Sequence, residues 1–317
     1  MTRSKTHLGR RAFTLGAGAL AAAAIHPARA QTVLRFSHTD TAVGSRQTAA
    51  EAFAKMVAEY SGNRLQVQVF HSGQLANDPK AVEQLQLGGV DFTVSGTGTY
   101  ATHQRPLNLT ALPFLFETYE QGWRFYDDSA WLAGQFGQLP SKGFRVLSVW
   151  EAGFRSFTTK AELRGPDDAK GKRMRVFPND MIRWIMEAIG FNPVVMPVTE
   201  VYLALQQGTV IGQENPVDTI FSQRFFEVAP HITLTQHVYS PLPMTVSEAT
   251  WRRLNDAEKA AVTRAAKESA ALSRKLVREA EDGQLREMAA KGAKIARPDI
   301  GPFRASVASV YDKAREA

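Results

Sequence analysis

An arginine on a strand beside amide side chains can trap a carboxylate, and residues 150–216 hold two such candidates. Trp150-Glu151-Ala152-Gly153-Phe154-Arg155-Ser156-Phe157-Thr158 sets Arg155 among aromatics on a strand-like segment. Arg175 lies in the strand-like Lys172 to Phe177, where alternation puts Arg173 and Arg175 on one face and Met174 and Val176 on the other. Gln213-Glu214-Asn215 places amide and carboxylate groups at the end of a third strand. A guanidinium holds a carboxylate through two parallel charge-assisted bonds, and Asn adds an amide donor. The same residues also suit internal ion pairs or a solvated surface, and spacing alone leaves both uses open.

Other chemistries lack their residues. The chain has no H-E-x-x-H, no G-x-S-x-G and no phosphate loop ending in Gly-Lys-Ser/Thr. Gly96-Thr97-Gly98-Thr99-Tyr100-Ala101 fits a dinucleotide fingerprint, but Pro106 follows soon after and no helix pattern opens at its last position. His38, His71, His103, His231 and His237 lack metal-ligand spacing. With zero cysteines, disulfides, thiolate catalysis and Cys-ligated zinc are excluded. The expectation is therefore no catalytic residue, no cofactor and no metal.

The formal charge of +7 invites a nucleic-acid or membrane reading, but it is concentrated at one end. Arg3, Lys5, Arg10, Arg11 and Arg29 fall within the first thirty residues, which contain no acid. There, Arg10-Arg11 precedes Phe13, and a Gly/Ala-rich apolar run from Leu15 to Ile25 leads to Ala28-Arg29-Ala30. That run is too short for a bilayer needing ~20 residues and reads as a signal peptide over 1–30. The arginine pair favours twin-arginine export; an ordinary Sec signal is the alternative. The remaining chain balances 33 basic against 31 acidic residues, which removes the argument for nucleic acid. No other stretch approaches the ~18 apolar residues of a span, so no membrane insertion of the mature chain is expected.

Positioning elements follow from periodicity. Val33 to Phe36, Leu65 to Phe70, Val90 to Ser95 and Arg145 to Trp150 read as strands; Thr48 to Tyr60 and Pro79 to Leu87 read as helices. Their alternation indicates βαβ units and a mainly parallel sheet, whose ligands sit at strand carboxyl ends. A second α/β set starts near Val146, with a helix from Asn179 to Ile189, another capped by Thr199 and running to Gln207, and a strand from Thr209 to Gly212. Asn255 with Glu258 forms a capping box opening a periodic stretch to about Lys291, one long helix or two abutting ones.

Three ordered motifs carry a family likeness: Gly171-Lys172-Arg173-Met174-Arg175-Val176, Met196-Pro197-Val198-Thr199-Glu200-Val201-Tyr202-Leu203-Ala204-Leu205-Gln206-Gln207-Gly208, and Gly212-Gln213-Glu214-Asn215-Pro216. The amino-terminal half agrees through Phe70 to Leu75 and Ala81 to Gly88. The chain resembles the DctP-like solute-binding proteins of tripartite ATP-independent periplasmic (TRAP) transporters over essentially its whole mature length. The resemblance implies an α/β periplasmic binding protein of two α/β lobes, joined by hinge strands and a long helix spanning both lobes. Expected bounds are 31–152 plus 241–280 for lobe I and 153–240 plus 281–317 for lobe II. It further implies that Arg175 anchors a ligand carboxylate, that Arg155 is a second arginine of the pocket and that Asn215 supports the clamp. His38, Asn77 and Ser95 fall at lobe I positions that touch the rest of the ligand. Many relatives binding large sugar acids have an aromatic where this chain has Val198, so stacking there is not carried over. Implied partners are a small organic acid and the membrane subunits of a TRAP transporter, in the periplasm.

The ligand's distal end is expected to meet His38, Asn77, Ser95, Glu151 and Asp218. An apolar keto acid would leave these groups unpaired at ~1–3 kcal/mol each, whereas hydroxyls satisfy them. A sugar acid such as a hexuronate or aldonate is therefore expected. The rivals are a C4-dicarboxylate, with one carboxylate on each of Arg155 and Arg175, and a keto acid. An exported enzyme using Glu151 and Asp218 as acid–base groups lacks an activated nucleophile.

Overall fold

The computed structural model describes residues 1, 2 and 31–316, so the signal-peptide and export-route expectations for residues 1–30 lie outside the described residues. Eleven strands form two sheets. They are β1 (Thr32–Ser37), β2 (Leu65–Phe70), β3 (Phe92–Val94), β4 (Phe144–Trp150), β5 (Phe154–Thr159), β6 (Arg173–Val176), β7 (Asn192–Val195), β8 (Gly212–Pro216), β9 (His231–Tyr239), β10 (Leu242–Ser247) and β11 (Lys294–Ala296). The first sheet runs β2-β1-β3-β10-β4 and the second β11-β9-β5-β8-β6-β7.

Each sheet has a parallel part and an antiparallel part. In the first, β1 pairs parallel with β2 and β3, the βαβ units expected from periodicity, but β10 runs antiparallel to β3 and β4. In the second, β6 is parallel to β7 and β8, while β5 is antiparallel to β8 and β9. The mainly parallel expectation missed this because β10 is buried at every residue and β9 at most of them, so neither shows clean alternation.

Under the first sheet, Phe36, Phe53, Phe92 and Trp150 meet edge-on, with ring centroids 5.2–6.3 Å apart. A core of Met174, Val176, Ile182, Ile185 and Met186 backs the second sheet. Each such side chain fully buried contributes ~1.5–3 kcal/mol relative to exposure. Leu109, Leu112 and Phe114 also pack against this second core.

Two short segments join the sheets. β4 passes to β5 through Glu151-Ala152-Gly153, and β9 passes to β10 through Ser240-Pro241. The Ser240 amide donates to the Gly153 carbonyl at 3.0 Å, tying the crossings together. Gly153 takes φ of +107°, and a Cβ there would lie 3.0 Å from the Tyr119 hydroxyl and 3.3 Å from Pro216, so glycine is required.

One 35-residue helix, Asp256–Ala290, runs from the first core to a further cluster on the second sheet. Val262, Ala265, Ala266 and Ala270 enter the first, and Leu285 and Met288 enter a cluster around Val201, Phe225 and Ile232. The Asn255–Glu258 capping box forms with both bonds at 3.0 Å. Gly283 falls inside the helix, and no break occurs at Asp282-Gly283. One local expectation changes. A 3-10 turn, Val198–Glu200, precedes the helix Val201–Gln207, so Thr199 is inside the turn and caps nothing. Gly96 opens a 3-10 helix, Thr97–Thr102, rather than the α-helix a dinucleotide site needs. No helix among the described residues is long and apolar enough to cross a membrane.

Candidate functional site

The two sheets meet over a cavity of about 60 Å³, measured by where a water molecule's centre fits. The second sheet contributes Arg155, Arg175, Phe177, Asn215 and Pro216; the first contributes Thr39, Asp40, Arg46 and Asp78. A more open groove of about 710 Å³ around Pro106 and Trp184 contains no buried charged residue.

Arg175 is 1% exposed, on the buried face of β6, while Arg173 is solvated at the strand's start. Its Nε donates to the Met196 carbonyl at 3.0 Å. Among the described residues no carboxylate lies within 4.0 Å of it. Burial lowers its pKa to about 10; the charge of Glu214 opposes the shift, nearby Arg155 adds to it, and Asp78 and Glu200 pull back. The guanidinium therefore stays charged at neutral pH. A buried cation without an ion-pair partner is costly, and an incoming carboxylate would relieve that cost.

Arg155, 5% exposed on β5, one strand beyond β8 in the same sheet, is already committed. Its Nε and Nη2 grip the Glu214 carboxylate, Nη2 also donates to the Glu214 carbonyl at 2.7 Å, and Nη1 reaches Ser240 Oγ at 3.2 Å. The guanidinium lies 5.0 Å over the Phe177 ring. Burial would raise the Glu214 pKa, but the Arg155 charge and bonds from His237 and Arg155 outweigh it and hold it at about 2. His237 stacks on Phe157 at 4.6 Å, its Nδ1 meets Thr235 Oγ1 at 2.7 Å, and burial lowers its pKa. Arg155 thus borders the cavity with its carboxylate-binding edge filled from within the fold. Asn215 also lines it, its amide donating to Gln213 Oε1, and Gln213 in turn donates to Thr158 Oγ1 at 2.7 Å.

The opposite wall is acidic. Asp78 Oδ1 accepts from Ser95 Oγ at 3.2 Å, and Thr39 Oγ1 lies 3.2–3.3 Å from both its oxygens. Arg46 Nη1 donates to Thr39 Oγ1 at 3.3 Å, and Gln223 Nε2 donates to the Thr39 carbonyl at 3.0 Å. Thr39, Asp40, Arg46 and Asp78 were not singled out in the sequence. Their signal was weak but present: the carboxyl end of β1 draws attention to 37–40, and Asp78 follows Asn77 at a helix start.

Of the eight expected residues, the fold brings Arg175, Arg155 and Asn215 to the cavity, while the other five do not line it. His38 Nε2 pairs with Gln47 Oε1 at 2.8 Å, and burial with the nearby Arg46 charge lowers its pKa to about 3, so its ring is neutral. Asn77 caps the helix Asp78–Gln86, accepting from the Lys80 amide at 3.2 Å, and the next residue faces the cavity instead. Ser95 reaches the site through Asp78. Glu151 belongs to the crossing: its carboxylate accepts from Trp123 Nε1 and Tyr239 hydroxyl at 2.7 Å and from the Ala152 and Gly153 amides at 3.0 and 2.7 Å. Burial raises its pKa. Asp218 accepts from Ser45 and Gln284 beside the cavity. With these donors, neither acid is arranged as a base over a substrate.

A two-sheet protein with paired crossings and a buried, unpaired cation between the sheets is a cleft binder of small anions. The chain belongs to the bacterial extracellular solute-binding proteins, family 7 (DctP), whose family model matches residues 36–317. It is a solute-binding protein of the TRAP transporter type and not an enzyme. It is 32% identical over 257 residues to the 2,3-diketo-L-gulonate-binding periplasmic protein YiaO of Escherichia coli, covering 79% of this chain and 76% of that one. It is 30% identical over 278 residues to the C4-dicarboxylate-binding periplasmic protein DctP of Rhodobacter capsulatus, covering 86% and 83%. A crystal structure of a TRAP periplasmic solute-binding protein from Sulfitobacter sp. NAS-14.1 with bound β-D-galacturonate superposes with a TM-score of 0.87 at 31% identity, covering 90% of this chain and 95% of that one.

Proposed function

We propose that this protein captures a sugar acid, a polyhydroxy monocarboxylate such as a hexuronate or aldonate, and delivers it to the membrane subunits of a TRAP transporter in the periplasm. In this reading residues 1–30 are the export signal. The lobes comprise 31–152 plus 241–280 and 153–240 plus 281–317, and they close over the acid.

The observation that carries the ligand class is the asymmetry of the cavity. Arg175 has no internal carboxylate, so the ligand's acid group goes there, supported by the amide-bearing Asn215. Arg155 is filled by Glu214, which removes the two-arginine seat of a dicarboxylate. The far wall contributes Asp40, Asp78 and Arg46, and a second carboxylate there would face two acids for one guanidinium. Hydroxyl groups donate to such acids without a charge penalty. The diketogulonate-binding relative and the galacturonate-bound neighbour support this class, and the dicarboxylate-binding relative supports the rival.

Calorimetry with hexuronates, aldonates, C4-dicarboxylates and keto acids is the test. Sugar acids are expected to bind with low-micromolar or tighter affinity. Tight dicarboxylate binding with no heat from any sugar acid would overturn the proposal.

A further inference from the structure

At the cavity's edge, two buried carboxylates from opposite sheets lie within each other's electrostatic reach. Asp40 follows β1 and is 2% exposed; Asp218 sits on the helix Val217–Ser222 that follows β8 and is 6% exposed. Their bonds cross. Ser222 Oγ, from the side of Asp218, donates to Asp40 Oδ1 at 2.6 Å, and Ser45 Oγ, from the side of Asp40, donates to Asp218 Oδ1 at 2.8 Å. The long helix joins them through Gln284 Nε2, 2.6 Å from Asp218 Oδ1. Two further bonds span the same seam, from Thr41 Oγ1 to the Ser222 carbonyl at 3.3 Å and from Gln223 Nε2 to the Thr39 carbonyl at 3.0 Å.

The charges do not balance as the bonds do. Among the described residues no Lys, Arg or His nitrogen lies within 4.0 Å of either carboxylate. Asp40 Oδ2 is buried with no hydrogen-bond donor, and it lies so close to Gly44 that a Cβ there would be 2.2 Å away. Two buried carboxylates in each other's field, with no cation beside them, are penalised when both are ionised. We propose that Asp40 and Asp218 form a proton-linked latch: closing the cleft brings them together across the seam, and the pair takes up one proton from solvent on closure.

The surrounding groups leave that proton to the pair. Arg46, from the helix Ser45–Tyr60, spends Nη1 on Thr39, and its field on Asp218 is weaker than that of Asp40. Asp78 adds negative charge beyond Thr39. On the long helix Glu281 accepts the Tyr119 hydroxyl and Glu287 pairs with Lys291; on the helix Phe225–Val228 Glu227 pairs with Arg224. His38 is held at about 3 and His237 below its ordinary value, both by burial, so neither takes up the proton as pH falls from neutrality. Burial first and Asp40 second raise Asp218 above the ordinary 3.8 in the closed form. On opening, the acids would part and be solvated. A raised closed-state value means closure is favoured at low pH, and the advantage is lost as pH rises through that value.

The experiment measures the affinity for D-galacturonate between pH 5 and pH 8.5 by calorimetry in two buffers of different ionisation enthalpy. Expected are uptake of up to one proton on binding and an affinity that tightens as pH falls, by at most about tenfold per unit. D218N keeps the acceptor for Ser45, gives Asp40 an amide donor, and is expected to lose both the proton uptake and the slope. D40N is the second variant should D218N fail to fold. Zero proton uptake by the wild type, or the same slope in wild type and variant, overturns the latch. Should D-galacturonate give no heat at any pH, the sugar-acid proposal fails for that ligand, and the latch is read without ligand. D218N is then expected to unfold at a higher temperature than wild type at pH 8, by a margin that shrinks at pH 5; a constant or absent margin overturns it.

Discussion

Arg155 and Arg175 stand on neighbouring parts of one sheet, both buried, both bordering one cavity, and they have opposite consequences. The Arg155 region carries its own anion: Glu214 fills the guanidinium fork, and His237 and Ser240 complete the set. The Arg175 region leaves the cation with a backbone carbonyl as its protein partner. A buried ion pair closed on itself holds strands together, whereas a buried charge without a counter-ion is a seat for a ligand. Residue type and burial are the same in both, and the partner decides.

Breaking the filled region should give the largest effect. Glu214→Ala leaves Arg155 uncompensated and is expected to cost about 3–5 kcal/mol of folding stability without any ligand present, read by urea unfolding. A loss under ~1 kcal/mol would place Arg155 in the same category as Arg175. Arg175→Met should do the converse. Ligand-free stability is expected to stay within ~1 kcal/mol of wild type, because an unpaired buried cation contributes little to folding. Affinity for the acid should fall by roughly 100-fold or more, since the carboxylate loses its charged partner. Unchanged affinity in that variant would show that the acid group lies elsewhere.

Acid should separate the regions more gently. Glu214 sits at about 2 when folded against an ordinary 4.5. Its lowered value means the ion pair contributes stability above 4.5 that is lost progressively as pH falls toward 2. Thermal unfolding midpoints should decline over that window, and Glu214→Gln should flatten the decline. An equally steep decline in the variant would assign it to other carboxylates. The smallest effect belongs to Asn77, whose side chain serves a helix: Asn77→Ala should cost ~1 kcal/mol of stability with affinity unchanged. A matching loss of affinity would return Asn77 to the ligand.

The sequence exposed the second-sheet wall better than the first. Arg175 was legible as a candidate from its strand, but parity put it on one face with Arg173, and the fold buries Arg175 while Arg173 at the strand's start stays exposed. Arg155 was found as a residue but not as half of a pair, because the bond joins β5 to β8 in a register that no local pattern encodes. Glu151 looked like an acid for a ligand; four donors around it depend on where Tyr239 and Trp123 arrive from distant parts of the chain. On the first wall the loops were located but the residues were offset, with Thr39 and Asp40 facing the cavity rather than His38, and Asp78 rather than Asn77. Side-chain direction in a loop follows from backbone torsions, which periodicity does not specify. The long helix, by contrast, was readable from its capping box and spacing, and only its continuity through Asp282-Gly283 needed the packing around it.

That helix also bears on how the molecule comes apart. The chain threads back and forth between the sheets, and one 35-residue rod is embedded in the first core at one end and in a cluster on the second sheet at the other. Neither half is a contiguous stretch that can melt while the other keeps its packing, since losing one core strips one end of the rod. Heating should therefore produce a single calorimetric transition whose measured and van't Hoff enthalpies agree, despite two hydrophobic centres. In its unfolding, the molecule is expected to behave as one cooperative unit.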